Sequence, residues 1–486
     1  ALGASSLQIV WSSLAESVLL AFVGGALGIF LAKVSLGLFR HHYPIDLPRL
    51  GEVHLNITVL LFALVVTLAS SILFGTLPAL RLVGIQPQAA LQQNNSHTLG
   101  SRQGRQLRTW VMALHVSGCT ALLLITGLFA KSLLQLLGQD KGFQTAHVVI
   151  AEARLSTKLY GGADSRTSFI DTVLNNLRSI PGVKSAGFVS AMPLEGETWI
   201  EDLSRVDKPT QQTLINLRWV SSGYFETMGE RLLFGRFFED RDRNLTNAVI
   251  SQGLAKTLWP NEDPIGQQLQ VEGRKFNVIG VVADSRSTSL KTQPAKMAYL
   301  HYKDRPPYVT LFTVRGAQPA SQLLAAVQQA IWQYAPNISI ARVKTLDSQV
   351  SDSLATERFQ TSVLIAFAVA ALLLAMLGMY GVLSVSVAGR TREIGVRMAL
   401  GATRGQMYSL TLSQVGVPVL GGLAAGLACG AVAIRIVHSL LYEVKVLDAP
   451  VSTMVMVLLL TAAFTAAFLP ARRAASVDPM EALRIE

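Results

Sequence analysis

Apolar residues along the chain gather into six stretches: Leu14 to Leu36, Ile57 to Leu80, Trp110 to Leu134, Ser362 to Val387, Leu410 to Ile434 and Val451 to Leu469. Each holds about 20 residues or more, and a helix of about that length spans a hydrocarbon layer roughly 30 Å thick. Between the third and fourth stretches runs a polar segment of about two hundred residues, Asp140 to Ala355, long enough to fold independently. Asn277 to Val282 and Val309 to Val314 read there as strands, Ser165 to Arg178 and Pro319 to Tyr334 as helices. The pattern predicts a multi-pass α-helical membrane protein of about six transmembrane helices with one large extracytoplasmic α+β domain.

Composition supports the membrane assignment, because 50% apolar and only 15% charged residues are too apolar a mixture for an ordinary soluble chain of 486 residues. A net charge of +11 suits nucleic acid, but the placement of the charge argues otherwise. Arg81, Arg102, Arg105 and Arg108, then Arg390, Arg392, Arg397 and Arg404, then Arg472, Arg473 and Arg484 fall on one side of a six-span arrangement. The opposite loops, Gly37 to Asn56 and Arg435 to Pro450, hold few basic residues. The positive-inside rule then puts both chain ends in the cytoplasm and the polar domain outside, with membrane lipid and not nucleic acid as the partner of the charge. Cys119 and Cys429 both lie in apolar runs, so no disulfide framework is implied. No charged region followed by a cleavage site opens the chain at Ala1, which reads as part of a longer protein.

An internal repeat sets the organisation. Ala1-Leu2-Gly3-Ala4 recurs as Ala399-Leu400-Gly401-Ala402. Leu77-Pro78-Ala79, with Arg81, Pro87, Ala90 and Leu91, recurs as Leu469-Pro470-Ala471, with Arg473, Pro479, Ala482 and Leu483. The first residues repeat the last ones, so an opening span, an outer domain and a further span are expected upstream of Ala1.

The run Arg390 to Met407 carries Arg390, Arg397 and Arg404 at seven-residue intervals, which puts them on one face of a continuous helix. Glu393 precedes Arg397 by four residues, the favourable order for a helical ion pair, and Ile394, Met398 and Ala402 form an apolar stripe. Two readings stand: a basic helix lying among anionic headgroups, or a docking helix whose small residues Gly395, Ala399, Gly401 and Ala402 admit a partner.

Thr391 to Ala402 resembles the cytoplasmic helix of FtsX-like, MacB-type ABC transporter permeases. Gly223 to Gly229, Gly235 to Phe238, Leu258 to Gly266 and Val278 to Val282 resemble the periplasmic core domain of the same family, and the duplication resembles its acidobacterial duplicated subset. The resemblance implies that a separate ABC-type ATP-binding subunit docks on Arg392, Glu393, Gly395, Arg397, Met398, Leu400, Gly401 and Ala402, with Leu2 and Gly3 in the repeated copy. It implies a bacterial inner-membrane location, possible contact with periplasmic or envelope proteins, and mechanotransmission, in which closure of the ATP-binding subunits moves the spans Trp110 to Leu134 and Ser362 to Val387. The domain reading is then residues 1–92 as the end of a first FtsX-like repeat, 93–108 a cytoplasmic linker, 109–139 a transmembrane helix, 140–355 the MacB-like core and 356–486 a second FtsX-like domain with its coupling helix at 390–407.

Other residues carry less. Gly24 and Gly28, with Gly422 and Gly426, have the spacing that lets membrane helices pack closely. Glu16, Lys131 and Arg435 lie near span ends and can snorkel to the interface; His115 suits either a proton relay or a hydrogen bond to a neighbouring helix. His41, His42 and His54 lack the partners of a metal site, and Asp240, Arg241 and Asp242 read as a solvated turn. There is no Gly-Lys dipeptide and hence no phosphate-cradling loop, nor any zinc-protease or nucleophile-elbow motif. The chain is therefore read as a permease and not an enzyme, with no cofactor of its own and ATP used by the partner, working in export or another periplasmic task. The alternative is a non-transporting regulator or scaffold that drives an envelope enzyme or sensor.

Overall fold

The computed structural model describes residues 6–42, 56–83, 102–244, 246–388, 396–400, 402–445 and 448–475. Three helices open the chain, α1 (Ser6–His42), α2 (Ile57–Val83) and α3 (Arg102–Gly138). The polar segment follows as β1 (Val148–Arg154), α4 (Ala163–Arg178), β2 (Val183–Val189), β3 (Ile200–Arg205), β4 (Lys208–Val220), α5 (Tyr224–Met228), β5 (Leu232–Gly235), β6 (Asn247–Ser251) and α6 (Gln252–Leu258). It continues through β7 (Gln268–Val271), β8 (Arg274–Val282), β9 (Met297–His301), β10 (Val309–Gly316), α7 (Ala320–Tyr334), β11 (Ser339–Thr345) and α8 (Leu346–Ser353). Three helices close the chain, α9 (Ala355–Ala388), α10 (Arg404–Val437) and α11 (Ala449–Ala475).

Two compact units result, one of residues 1–129, 360–440 and 444–486, the other of residues 130–359 and 441–443. Five described helices are long and apolar enough to cross a bilayer, Leu14–Gly37, Thr109–Gly138, Ala355–Ala388, Val415–Val437 and Ala449–Arg473, and all but the end of the second and the start of the third fall in the first unit. The sixth expected span falls on α2, whose described apolar part, Ile57–Ile72, is shorter. Large apolar side chains such as Phe22 and Phe30 of α1 and Phe367 and Leu377 of α9 are more than half exposed, a surface stable only in an apolar solvent. Helix α3 starts at Arg102, inside the segment 93–108 read as a linker, because Arg, Gln and Leu there favour helix over coil; residues 93–101 lie outside the described ones.

The second unit is built on one mixed sheet of order β11-β1-β10-β2-β4-β3-β7-β8-β6-β9, with β5 on β8 and β9 returning to pair with β4. That last pairing is parallel, Asn216 with Met297 through Val220 with His301, and closes the strands from β4 to β9 into a ring. Alternation along β1 shows how the sheet is covered on both faces. Val149, Ala151 and Ala153 pack with Phe169 and Val173 of α4 and Leu323 and Val327 of α7. Val148 and Ile150 meet Tyr224 and Phe225 of α5 and Leu346 and Val350 of α8. This is the expected α+β domain, with α4, α7, β8 and β10 within a few residues of their predicted places.

The four motif runs of this unit are architectural. Tyr224 and Phe225 are fully buried, and Gly229 closes their helix in the left-handed conformation, φ +64°. Phe237 stacks on Phe225 with ring centroids 4.9 Å apart. Arg236 reaches forward to Asp242, its NH2 2.8 Å from Oδ1. Asp242 also accepts from the backbone N–H of Glu239 and from Asn247 Nδ2, each at 2.8 Å. The solvated turn expected at Asp240–Asp242 is thus corrected: Asp242 is fully buried, and the Arg236 guanidinium holds its carboxyl down at about 2. In the Leu258 to Gly266 run, Glu262 and the Leu258 carbonyl receive the buried guanidinium of Arg205, which also grips Asp207 and lies 5.4 Å from the Trp259 ring centroid.

Gly280 pairs with Gly235 across β8 and β5, and a Cβ on Gly280 would stand 2.2 Å from the Arg236 carbonyl oxygen. Gly280→Ala therefore forces β5 off β8 and should cost about 1–3 kcal/mol, read as a lower midpoint in thermal unfolding of the full-length protein. An unchanged midpoint would mean that β5 yields freely.

Candidate functional site

The segment between α9 and α10 is the first candidate. Residues 396–399 form a helical turn, with the Leu400 N–H donating to the Val396 carbonyl and the Ala402 N–H to the Arg397 carbonyl, both at 3.0 Å. The chain then restarts at Thr403, where Thr403 Oγ1 accepts from the Gln406 N–H while the Gln406 side chain accepts from the Thr403 N–H. That capping box opens α10, so Arg404 stands in the first turn of a new helix. The continuous helix expected over 390–407 is therefore broken between Leu400 and Arg404, and Arg404 does not share a helical face with Arg397. Of the predicted docking residues, Arg397 and Leu400 are exposed, and Met398 and Ala402 are half-buried. Arg392, Glu393, Gly395, Gly401, Leu2 and Gly3 lie outside the described residues.

The second candidate is a seam between α3 and α10. A Cβ on Gly422 would lie 2.6 Å from the Ala113 carbonyl oxygen, one on Gly426 2.4 Å from Thr120 Cβ, and one on Gly430 2.8 Å from Leu124 Cδ2. Numbers rise together on both helices, so α3 and α10 run in the same direction. Gly430 extends the stripe by one step of four and escaped the sequence reading, although the spacing announces it. Thr120 satisfies its hydroxyl on its own Val116 carbonyl at 2.7 Å, leaving its methyl to the seam. Thr126 Oγ1 reaches the Leu122 carbonyl at 2.8 Å and the Leu364 carbonyl of α9 at 3.3 Å. Gly24 and Gly28 have nothing within 4 Å of an added Cβ among the described residues; Gly25 instead faces Thr67 Cγ2 at 3.7 Å.

The outer unit holds two polar clusters. A cleft of about 400 Å³ is lined by Glu152, Arg154, Glu195, Trp199 and Arg342 among others. Buried Glu152 takes Arg154 Nε at 2.9 Å and Arg342 Nε at 2.7 Å, and Arg342 also pairs with Glu195, so charges balance within the cleft. In the core, Glu230 accepts from the Tyr224 hydroxyl at 3.5 Å, and Arg218 donates to the carbonyls of Ser287 at 3.1 Å and Met192 at 3.3 Å. Burial pushes the Glu230 carboxyl up to about 7, against the opposing pull of Arg218. Glu16, His115 and Arg435 are exposed and Lys131 is half-buried. The side chains of His41, His42 and His54 lie outside the described residues. No group of three or more His, Cys, Asp or Glu able to hold a metal occurs among the described residues.

Comparison with known proteins matches residues 365–479 to the FtsX-like permease C-terminal family and residues 112–334 to the MacB-like periplasmic core domain. The two matches cover α9 to α11 on one side and α3 with most of the outer unit on the other. The chain thus joins an FtsX-like permease part to a MacB-like periplasmic core domain. It is 30% identical over 301 residues to the macrolide export ATP-binding/permease protein MacB of Azoarcus sp. (strain BH72), covering 58% of this chain and 44% of that protein. It is 24% identical over 387 residues to the uncharacterized ABC transporter permease YknZ of Bacillus subtilis (strain 168), covering 73% of this chain and 95% of that one. The crystal structure of the periplasmic region of MacB from Actinobacillus actinomycetemcomitans aligns with 44% of this chain and 95% of that one, at 17% identity and a TM-score of 0.32. The match to the Azoarcus protein thus spans less than half of that relative's length. This permease is a membrane protein with a periplasmic domain.

Two outcomes follow from the seam and the buried carboxyl. Gly426→Leu wedges α10 off α3 and should destabilise the permease by about 1–3 kcal/mol, whereas Gly118→Ala, facing open space, should leave the melting temperature in detergent unchanged. Equal midpoints for the two variants would disprove the close seam. For Glu230 the folded carboxyl is raised above its ordinary value, so the folded state holds the proton more tightly and stability falls as pH rises from 4.5 to about 7. Relative to Glu230→Gln, the wild type should lose about 2 kcal/mol over that window, measured as the difference between their thermal midpoints. Parallel pH curves for the two proteins would exclude a titrating Glu230.

Proposed function

We propose that this chain is the membrane-spanning permease of an ATP-driven machine of the mechanotransmission type in the bacterial inner membrane. A separate ABC-type ATP-binding subunit docks on residues 390–407, its closure moves the spans, and the spans move the periplasmic core, which works in export or another periplasmic task. The observation that carries this reading is the surface between α9 and α10. Val396 and Leu400 are exposed, Leu400 at 83%, beside exposed Arg397 and immediately before the first turn of α10. An apolar pair with a charged neighbour is the composition of an interface centre and its rim. The segment lies inside the FtsX-like match.

The relatives support a separate ATP-binding subunit: the Azoarcus protein is named as ATP-binding and permease together, while the Bacillus subtilis protein, 95% covered, is named as a permease. ATP is then used by the partner, and this chain binds no cofactor directly. The terminal repeat supplies a second docking position at Leu2 and Gly3, with residues 1–92 the end of a first permease half and both described chain ends on the cytoplasmic side.

Full-length protein purified with candidate ATP-binding subunits from the same organism tests the reading. Arg397→Glu and Gly401→Trp should each lower recovery of the subunit by about tenfold or more, with membrane insertion intact. Unchanged recovery, or no ATP-binding partner for the wild type, would remove ATP coupling through this segment and favour the scaffold alternative.

A further inference from the structure

The loop joining α10 to α11 contributes three residues, Leu441–Glu443, to the outer unit, although both helices belong to the membrane unit. Tyr442 holds this insertion in place. Its backbone N–H donates to Ser132 Oγ at 2.9 Å. Its hydroxyl accepts from Gln139 Nε2 and from Arg286 NH2, the latter at 3.1 Å, and donates to Glu443 Oε1 at 3.0 Å. The Arg286 guanidinium carbon also lies 5.7 Å from the Tyr442 ring centroid, within reach of a cation–π contact. The ring packs against the apolar core that includes Leu136 and Phe143. Glu443 sits at φ +48°, a strained backbone for a residue with a side chain, which persists only where surrounding contacts hold it.

Arg286 is more than a hydrogen-bond donor to one hydroxyl. Its backbone N–H donates to the Lys141 carbonyl at 2.9 Å, and its guanidinium reaches the carbonyls of Leu290 and Thr292. Between those two, Lys291 forms an ion pair with Glu357 in the first turn of α9. One outer-unit loop, residues 286–292, therefore touches the chain just past α3, the start of α9 and the loop between α10 and α11. The last two lie within a few residues of points where the chain passes from one unit to the other, and the remaining crossing falls inside α3, at residues 129–130.

We propose that Tyr442 is a positioning residue that makes the α10–α11 hairpin a transmission arm into the periplasmic unit, alongside α3 and α9. The inference rests on the docking reading above. Motion entering at residues 396–403 meets the start of α10, a rod roughly 50 Å long at the usual helical rise. At its far end the loop is fastened to Arg286 through the Tyr442 hydroxyl. Without that fastening a surface loop absorbs the displacement by changing its own dihedrals; with it, the displacement reaches residues 286–292.

The test uses the full-length permease with its ATP-binding subunit in lipid nanodiscs, reading hydrogen exchange of residues 286–292 with ATP plus vanadate and without nucleotide. Tyr442→Phe keeps the ring and the backbone donor to Ser132 and loses only the hydroxyl. It should shrink the nucleotide-dependent change in exchange by about fivefold or more, with ATP hydrolysis by the subunit staying within about twofold of wild type. Gln139→Leu, which removes one partner of the hydroxyl and leaves Tyr442 intact, should give a partial loss. A response in Tyr442→Phe equal to wild type overturns the proposal, as does a loss that merely tracks reduced hydrolysis, the mark of a structural role. A wild type that hydrolyses ATP but shows no nucleotide-dependent change overturns the coupling reading itself, and this inference with it.

Discussion

Inside a bilayer no water is available to a peptide N–H or C=O, so each spanning segment must close its hydrogen bonds along its own axis. The long helices of this permease follow from that constraint, and so does the manner of their packing. Lipid tails are as apolar as Leu or Phe, so burying such side chains between helices brings little gain. Association has to come from close contact, and α10 achieves it by presenting Gly422, Gly426 and Gly430 to Ala113, Thr120 and Leu124 of α3. The hydroxyl of Thr126, bonded to Leu364 of α9, adds a polar tie where no water competes.

The outer unit solves a different problem in a different solvent. Water surrounds it, apolar burial drives its folding, and polar groups drawn inside must find partners. Arg205 finds Asp207 and Glu262, Arg236 finds Asp242, and Glu152 is held between Arg154 and Arg342. The family's motif runs in this unit accordingly mark places where the backbone approaches itself too closely for a side chain, or where one ionic partner must stand. They specify the fold. The residues proposed for coupling lie elsewhere, on the exposed turn before α10 and around the Arg286 loop.

How much of this was legible in the chain depends on the range of the interaction. Hydrophobic runs of membrane length and the helices and strands of the outer unit are written in neighbouring residues and are read there. The end of the turn before α10 was also legible, because Thr403 and Gln406 have the spacing of a capping box, but the seven-residue recurrence of Arg390, Arg397 and Arg404 argued for an unbroken helix. The local cap prevails because it satisfies backbone donors at the start of α10, which a recurrence of exposed arginines does not.

The sequence by itself determined that this is a multi-pass membrane protein with one large α+β domain, and which family it resembles, since hydropathy and motif spacing are local properties. Only the tertiary structure decided the parallel β4–β9 pairing that closes the ring, the burial of Asp242, the extension of the helix seam to Gly430 against Leu124, and the fastening of Tyr442 to Arg286. Most of these join residues far apart along the chain. Their energies arise from geometry that exists only after folding, when burial turns a surface aspartate into an ionic partner and a loop tyrosine into an anchor.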